Sequence, residues 1–152
     1  MARTDSKNKM IKDQNYFYSE EFNGIVSDLI QEAGFPAKFS LQPLKGGRNN
    51  RVFCVIYENR LKALLKAYFQ HPNDLRNRLK TEYTFMDFAW NRNIRCLPRP
   101  ISADFKNNLG LYEFIEGHQL TSFEINDEKI KQALNFFFEI NKYKNASEAK
   151  KL

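Results

Sequence analysis

The sequence predicts an α+β fold in which helices pack against a five-stranded antiparallel sheet. Runs of β-branched and aromatic residues are joined by links too short for a parallel crossover, so neighbouring strands should be antiparallel. Other segments repeat apolar residues at steps of three and four, which predicts helices with one apolar side. A length of 152 residues, 42% of them hydrophobic, fits one domain or one lobe of a larger protein.

The charge balance gives a weak indication of what the protein binds. The formal net charge is +6, but lysines and arginines are spread along the chain and acidic residues alternate with them. This pattern favours a solvated mixed surface over a nucleic-acid interface, and it also suits a phosphorylated or acidic small ligand. No apolar run approaches the roughly 20 residues that span a bilayer, so no membrane partner is predicted.

The two cysteines and two histidines argue against a zinc site. Cys54 and Cys96 lie in different segments and have no CxxC spacing, while His71 and His118 are far apart. The cysteines are therefore predicted to be reduced packing residues of a cytoplasmic protein. Credible zinc ligands are too few.

Residues 1–18 are predicted to be a flexible N-terminal segment, and a helix follows it. Ser19 is a suitable N-cap, and Gly34 with Pro36 ends the helix. The apolar stripe of this helix consists of Phe22, Ile25, Val26, Leu29 and Ile30.

Three predicted strands surround a glycine turn and a lysine. The strands are Phe39–Leu44, Val52–Tyr57 and Leu61–Phe69, and the turn runs from Lys45 to Asn50. Glycines let backbone N–H groups approach phosphates, and Lys66 on the third strand supplies a fixed charge. From the residues alone, an ordinary hairpin turn explains the Gly-Gly pair equally well.

The strongest helix prediction covers residues 75–92, with Asn73 or Asp74 as its cap. Its apolar stripe includes Leu75, Leu79, Met86 and Ala89, but Glu82 lies on the same stripe. A carboxylate on an apolar face is costly unless it is paired, so we expect Glu82 to pair with Lys66. The alternative is a glutamate at the edge of the face that reaches water.

Two more strands and a last helix complete the prediction. An edge strand is predicted over Cys96–Ile101, a turn over 104–108, and a fifth strand over Leu109–Ile115. Asp127 is a candidate cap for a helix that extends to about Tyr143. That helix is apolar nearly all round and is therefore expected to be buried.

This order of elements is that of the small lobe of a kinase-like fold. The segments LKGGRNNRVFCV, ALLKAY, RLKTEYTFMDFA, PRPISAD and LGLYEFIEG occur in the order found in the aminoglycoside phosphotransferase and choline kinase-like family, which the chain resembles from about Leu41 to Tyr143. The resemblance implies an ATP-binding lobe over residues 19–117. Residues 118–152 would then be a linker and the start of a second lobe.

The resemblance also implies residues that hold the phosphates of ATP. Gly46, Gly47 and Asn50 are similar to the loop that covers the phosphates in this family. Lys66 resembles the lysine that holds the α- and β-phosphates, and Glu82 resembles the helix glutamate that fixes that lysine.

The adenine contacts follow from the resemblance as well. Val52 and Leu64 would pack on the base, and Tyr112 resembles the residue that closes the back of the adenine pocket. The Glu113 carbonyl and the Ile115 N–H would hydrogen-bond the adenine edge.

The resemblance stops before the catalytic residues. The family places its catalytic aspartate, in a His-x-Asp-like loop, and its Mg²⁺-binding aspartate in the second lobe. Asp104 is predicted in a turn and Asp127 at a helix cap, and no aspartate follows Tyr143. The expectation is therefore a truncated or split lobe with no catalytic or metal residue of its own, inactive alone, with Mg²⁺ bound by the missing lobe.

Several alternatives remain open at this level. As a truncated lobe, the chain is expected to form a dimer or to need a complementing second lobe, and its small-molecule acceptor is not indicated. A stand-alone nucleotide-binding or regulatory module, or an inactive remnant, is the second hypothesis. A basic nucleic-acid-binding domain is the third and least favoured.

Overall fold

The computed structural model describes residues 14–45, 50–70 and 73–151. It confirms the α+β class and the five-stranded antiparallel sheet. The helices are α1 (Glu20–Glu32), α2 (Arg78–Trp90) and α3 (Asp127–Asn141), and the strands are β1 (Phe39–Leu44), β2 (Arg51–Tyr57), β3 (Lys62–Ala67), β4 (Pro100–Asp104) and β5 (Leu109–Glu113). Short 3-10 helices occur at Gln14–Tyr18, Ser122–Glu124 and Ala149–Lys151.

The strand order places β3 in the centre of the sheet. Neighbouring strands pair antiparallel in the order β1-β2-β3-β5-β4, so the last strand along the chain inserts between β3 and β4. In this register Lys66 is directly opposite Val52 on one side and Gly110 on the other. Directly opposite residues share a face of the sheet, so these three positions form one row.

One face of the sheet carries the main hydrophobic core, and α1 covers it. The stripe predicted for α1 is buried at Phe22, Val26, Leu29 and Ile30. These side chains pack on every second residue of the sheet, namely Phe53, Val55, Tyr57, Ala63, Leu65, Ala67, Leu109 and Leu111. The predicted cap is also confirmed, because the Ser19 hydroxyl accepts a hydrogen bond from the Phe22 N–H at 3.1 Å.

The residues just before α1 are part of this core, which corrects the prediction for residues 14–18. They form a 3-10 helix in which Tyr16 is only 6% exposed. Tyr16 contacts Phe17 and Phe22 edge-to-face, with ring centroids 5.6 and 5.5 Å apart. Aromatic side chains bury enough apolar area to order a short segment whose surroundings are polar. Residues 1–13 lie outside the described residues.

α2 begins later than predicted. Its first residue is Arg78 rather than Leu75, and its N-cap is Asn77, whose side chain accepts a hydrogen bond from the N–H of residue 80 at 2.9 Å. Asn73 and Asp74 are therefore not the cap. The helix ends at Trp90, two residues before the predicted end.

Asp74 explains the late start of α2. Its carboxylate accepts hydrogen bonds from the Arg76 backbone N–H at 3.2 Å and from the guanidinium groups of Arg76 and Arg78 at 2.7 Å. These bonds hold the pKa of Asp74 well below its usual value. A local side-chain bond of this kind competes with helix formation. As a result Leu75, predicted on the apolar stripe, is 97% exposed.

The ends of the last two strands also differ from prediction. β4 runs from Pro100 to Asp104 instead of Cys96–Ile101. Proline is tolerated as the first residue of a strand, which is consistent with a strand that begins at Pro100 and leaves Pro98 outside. Asp104 closes the following turn from the strand end, since its carboxylate accepts from the N–H groups of Lys106 and Asn107, both at 2.9 Å. β5 ends at Glu113, two residues before the predicted end.

The last helix is not buried, contrary to prediction. α3 is capped by Asn126, not Asp127, and none of its residues is buried. Its exposed apolar side chains are Ile130, Leu134, Phe137 and Phe138, which are 47–58% exposed. Just beyond α3, the Tyr143 ring meets Phe88 of α2 edge-to-face at 6.5 Å. The apolar pattern of α3 is thus largely unused within the described structure.

Both cysteine thiols are free, as predicted, but only Cys54 is a packing residue. Cys54 is 3% exposed, and burial raises the pKa of its thiol, whereas Cys96 is exposed. Among the described residues, no helix is both long and apolar enough to cross a membrane.

Two glycines of this region give opposite stability predictions. Gly24 is inside α1 and Gly34, with φ of 78°, follows its end; a Cβ at either position would meet nothing within 4 Å. Gly24→Ala should stabilise the fold by about 0.5–1 kcal/mol because alanine has the higher helix propensity. Gly34→Ala should destabilise it by about 1–2 kcal/mol, because an L side chain is strained at positive φ.

Urea denaturation of both variants measures this pair. Equal changes of either sign would contradict the assigned backbone geometry.

Candidate functional site

A lysine and a glutamate meet on the face of the sheet opposite the main core. The Lys66 ammonium lies 2.7 and 2.6 Å from the two Glu82 carboxylate oxygens. The side chains are 19% and 31% exposed, so the pair is partly shielded from water. The predicted pairing of Lys66 with Glu82 is therefore present, and it joins the central strand to α2.

The geometry leaves one donor of the ammonium available. A lysine ammonium carries three N–H groups, and the two carboxylate oxygens of Glu82 use two of them. The third has no hydrogen-bond acceptor within residues 14–45, 50–70 and 73–151. A charged donor held in a partly shielded place binds an anion more strongly than a freely rotating surface lysine does.

Two buried tyrosines, Tyr68 and Tyr112, adjoin this ion pair. The Lys66 ammonium is 4.7 Å from the centre of the Tyr68 ring, a cation–π distance. The Tyr68 and Tyr112 hydroxyls are hydrogen-bonded at 2.7 Å, and the two side chains are 2% and 1% exposed. Burial, followed by the bond to Tyr112 and the charge of Glu82, raises the pKa of Tyr68. Burial above all raises the pKa of Tyr112 as well.

Gly110 makes room for the Tyr112 ring. A Cβ at Gly110 would lie 2.6 Å from two atoms of the Tyr112 side chain and 2.9 Å from a third. The ring therefore folds back over Gly110, directly beside Lys66 on the neighbouring strand. Neither Gly110 nor Tyr68 was among the site residues predicted from the sequence. The available signals were a glycine inside a strand and an aromatic residue two positions after the lysine.

Apolar side chains adjoin the lysine on the same face. Val52 is directly opposite Lys66 across β2 and β3, and Leu64 is directly opposite Tyr112 across β3 and β5. Val52 and Leu64 are both half-buried. The structure thus brings together the charged pair and the three apolar residues that the resemblance assigns to adenine.

The end of β5 and the chain that follows it lie beside the start of β3. The Glu113 N–H donates to the Arg99 carbonyl at 2.8 Å, and the Glu113 carboxylate accepts from the Arg99 N–H at 3.1 Å. Ile115 is 56% exposed, and its N–H has no hydrogen-bond partner among the described residues. Lys62 pairs with Glu116 at 2.5 Å, and because the two side chains are 39% and 75% exposed this ion pair contributes little to the position of the segment.

The predicted phosphate loop is described only at its end. Gly46 and Gly47 lie outside the described residues. The Asn50 side-chain carbonyl accepts a hydrogen bond from the Phe69 N–H at 3.1 Å. Asn50, which directly precedes β2, is therefore fixed to the chain just after β3. Its partner Phe69 is three residues beyond Lys66.

A cavity of about 590 Å³ lies between α1, β1 and the N-terminal 3-10 helix. Phe17, Asn23, Gly24 and Phe39 are among its lining residues. It contains none of the residues assigned to the nucleotide, and Phe53 in its wall belongs to the main core. The cavity is therefore separate from the site around Lys66.

No protein-family model matches this sequence, and no curated protein matches it. Within residues 14–45, 50–70 and 73–151, no group of three or more His, Cys, Asp or Glu side chains is arranged to hold a metal ion.

Gly110 provides a direct test of the packing beside Lys66. Gly110→Ala should destabilise the fold by about 1–3 kcal/mol, because the added methyl overlaps a buried ring. Tyr112→Leu removes the ring, so adding Gly110→Ala to that variant should cost far less than it does in the wild type. A double-mutant cycle by urea denaturation measures the coupling. Additive effects would mean that the ring does not cover Gly110.

The buried tyrosines predict a loss of stability in alkali. Both have pKa values raised in the folded state, so above pH 10, the ordinary tyrosine value, the unfolded chain loses protons that the folded chain keeps. Their contribution is complete below pH 10 and falls by up to about 1.4 kcal/mol per pH unit for each phenol above it.

Tyr68→Phe removes one of these phenols. The slope of its free energy of unfolding against pH, measured between pH 9 and 11, should therefore be shallower by the equivalent of about one proton. Tyr18→Phe, at a 69% exposed tyrosine, is the control. An unchanged slope in Tyr68→Phe would contradict the raised pKa.

Proposed function

We propose that this chain is the ATP-binding lobe of a small-molecule kinase of the aminoglycoside phosphotransferase and choline kinase-like type. Such a kinase transfers the γ-phosphate of ATP to a hydroxyl of a small acceptor. The observation that carries the proposal is the ion pair between Lys66 on the central strand and Glu82 on α2. Kinases use a strand lysine and a helix glutamate in this arrangement to hold the nucleotide phosphates.

The sheet topology supports the proposal. The glutamate-bearing helix α2 lies between β3 and β4 in the chain and contacts β4 and β5. Its glutamate thereby reaches across to the lysine on β3, which is central in the sheet. A surface ion pair formed by chance does not require this topology, and it usually connects two well-exposed side chains.

The apolar residues beside Lys66 offer a surface for the adenine base. Val52 and Leu64 offer half-buried apolar surface on the lysine's face, and Tyr112 closes it from behind. The N–H of Ile115, which has no hydrogen-bond partner among the described residues, would donate to the adenine edge. Glu113 would contribute its carbonyl, since its N–H is already bonded to Arg99.

The exposed side of α3 supports a second lobe as the partner of this one. Ile130, Leu134, Phe137 and Phe138 present large apolar side chains to solvent. In the family that the chain resembles, the acceptor and Mg²⁺ sites belong to a second lobe that starts in this region of the sequence. We therefore assign the cover of α3 and the ligands of Mg²⁺ to that lobe.

Two lysines on one strand allow a controlled test of nucleotide binding. Lys66→Met should weaken the binding of MgATP at least about tenfold, because it removes the charge-assisted bonds to the phosphates. Lys62→Met is the matched control, since Lys62 is on the same strand but pairs with the exposed Glu116. Its affinity should stay within about twofold of the wild type.

Isothermal titration calorimetry on the full chain measures both affinities, and circular dichroism checks that both variants are folded. A wild-type chain without affinity for ATP would overturn the proposal. So would a Lys62→Met variant that loses as much affinity as Lys66→Met.

A further inference from the structure

We propose that the hydrogen-bonded hydroxyls of Tyr68 and Tyr112 are positioning groups that hold the Lys66 ammonium and the Glu82 carboxylate in their paired geometry. Tyr68 acts through Lys66 and Glu82, and Tyr112 acts through Tyr68. The consequence for ATP affinity rests on the function proposed above. The positioning itself is a property of the free protein.

The Lys66 ammonium is in contact with the face of the Tyr68 ring. A lysine side chain has a flexible four-carbon stem and a strongly hydrated ammonium, so its position is not fixed unless other groups contact it. Glu82 holds the ammonium from one side, and the Tyr68 ring, 4.7 Å away, holds it from another. The ring stays in that place only if its own side chain cannot rotate.

The Tyr68 ring is anchored at both ends. The Tyr68 backbone N–H donates to the Asn108 carbonyl at 2.9 Å, which fixes the chain just after β3. The far end of the ring is fixed by the hydroxyl bond to Tyr112 at 2.7 Å. Tyr112 is itself held over Gly110 and packs against Tyr83 with ring centroids 6.1 Å apart.

The direction of the two hydroxyl protons does not alter this anchoring. A carboxylate only accepts hydrogen bonds, while a tyrosine hydroxyl both donates and accepts. The charge of Glu82 is close enough to contribute to the raised pKa of Tyr68, after burial and the bond to Tyr112. Either hydroxyl can donate in the bond between Tyr68 and Tyr112. In both cases the bond holds the Tyr68 ring, and the contact of that ring with the Lys66 ammonium keeps the ammonium where it meets Glu82.

Core packing alone is the competing explanation for these residues. Tyr68, Tyr112 and Leu79 form a small buried cluster, with Tyr83 and Met86 packed against it. If packing were their whole role, phenylalanine would replace either tyrosine without affecting Lys66. Phenylalanine keeps the ring and removes only the hydroxyl.

The experiment uses Tyr68→Phe and Tyr112→Phe, each of which breaks the same hydroxyl bond. Tyr83→Phe is the matched control, because Tyr83 belongs to the same cluster but its hydroxyl has no hydrogen-bond partner in the described part of the chain. The first measurement is the rate at which the Lys66 ammonium hydrogens exchange with water, which nuclear magnetic resonance detects on the nucleotide-free chain. The second is the affinity for MgATP by calorimetry.

Loss of the hydroxyl bond should speed the exchange of the Lys66 ammonium and weaken ATP binding, each by about fivefold, in Tyr68→Phe and in Tyr112→Phe. Tyr83→Phe should change either quantity by less than about twofold. Unchanged exchange in the folded Tyr68→Phe variant would overturn the inference. If Tyr68→Phe does not fold, the Tyr112→Phe result decides in the same way.

The two proposals can fail separately. Faster exchange in the phenylalanine variants, with no ATP affinity even in the wild type, would support the positioning role and overturn the proposed function. Normal ATP binding that depends on Lys66, with exchange unaffected by either hydroxyl, would support the function and overturn the positioning role.

Discussion

The ion pair between Lys66 and Glu82 is the interaction on which the arrangement of this molecule depends. A carboxylate in the apolar stripe of a helix is costly to bury alone, so α2 can pack on the sheet only where Lys66 meets it. The pair joins α2 directly to β3, in addition to the contacts that α2 makes with β4 and β5. The tyrosines and Gly110 then determine how closely the two can approach. The charged contact thus links the helix to the central strand, and the hydroxyl bond between Tyr68 and Tyr112 extends this link to β5.

The sequence predicted the sheet and the charged pair because both depend on short-range patterns. A run dense in β-branched and aromatic residues over 52–57 identifies β2, and a carboxylate on an apolar stripe identifies Glu82 as a residue that needs a cation. Tyr68 and Gly110 could not be found in this way. Their roles depend on the register between β3 and β5, which places Gly110 opposite Lys66, and residues 44 positions apart in the chain meet only after that register is set.

Two of the wrong predictions share a cause, which is that specific side-chain contacts outweighed the local signals of the sequence. Leu75 continues the apolar spacing of α2, yet the Asp74 carboxylate binds Arg76 and stops the helix from extending back to it. The residues that precede the segment 14–18 in the sequence are mostly polar, yet Tyr16 packs against the aromatic rings of Phe17 and Phe22. For α3 the pattern was read correctly as apolar, but the surface that would cover it is not among the described elements.

The space between Gly110 and Tyr112 has a consequence for how this sequence can change over evolutionary time. Because the ring occupies the volume that a side chain at 110 would need, the two positions cannot vary independently. A lineage that shrinks residue 112 first gains freedom at 110, whereas one that enlarges residue 110 first passes through a poorly packed intermediate. The order of substitutions is thereby restricted. Relatives of this chain are expected to show a small residue at 110 wherever 112 is a large aromatic one.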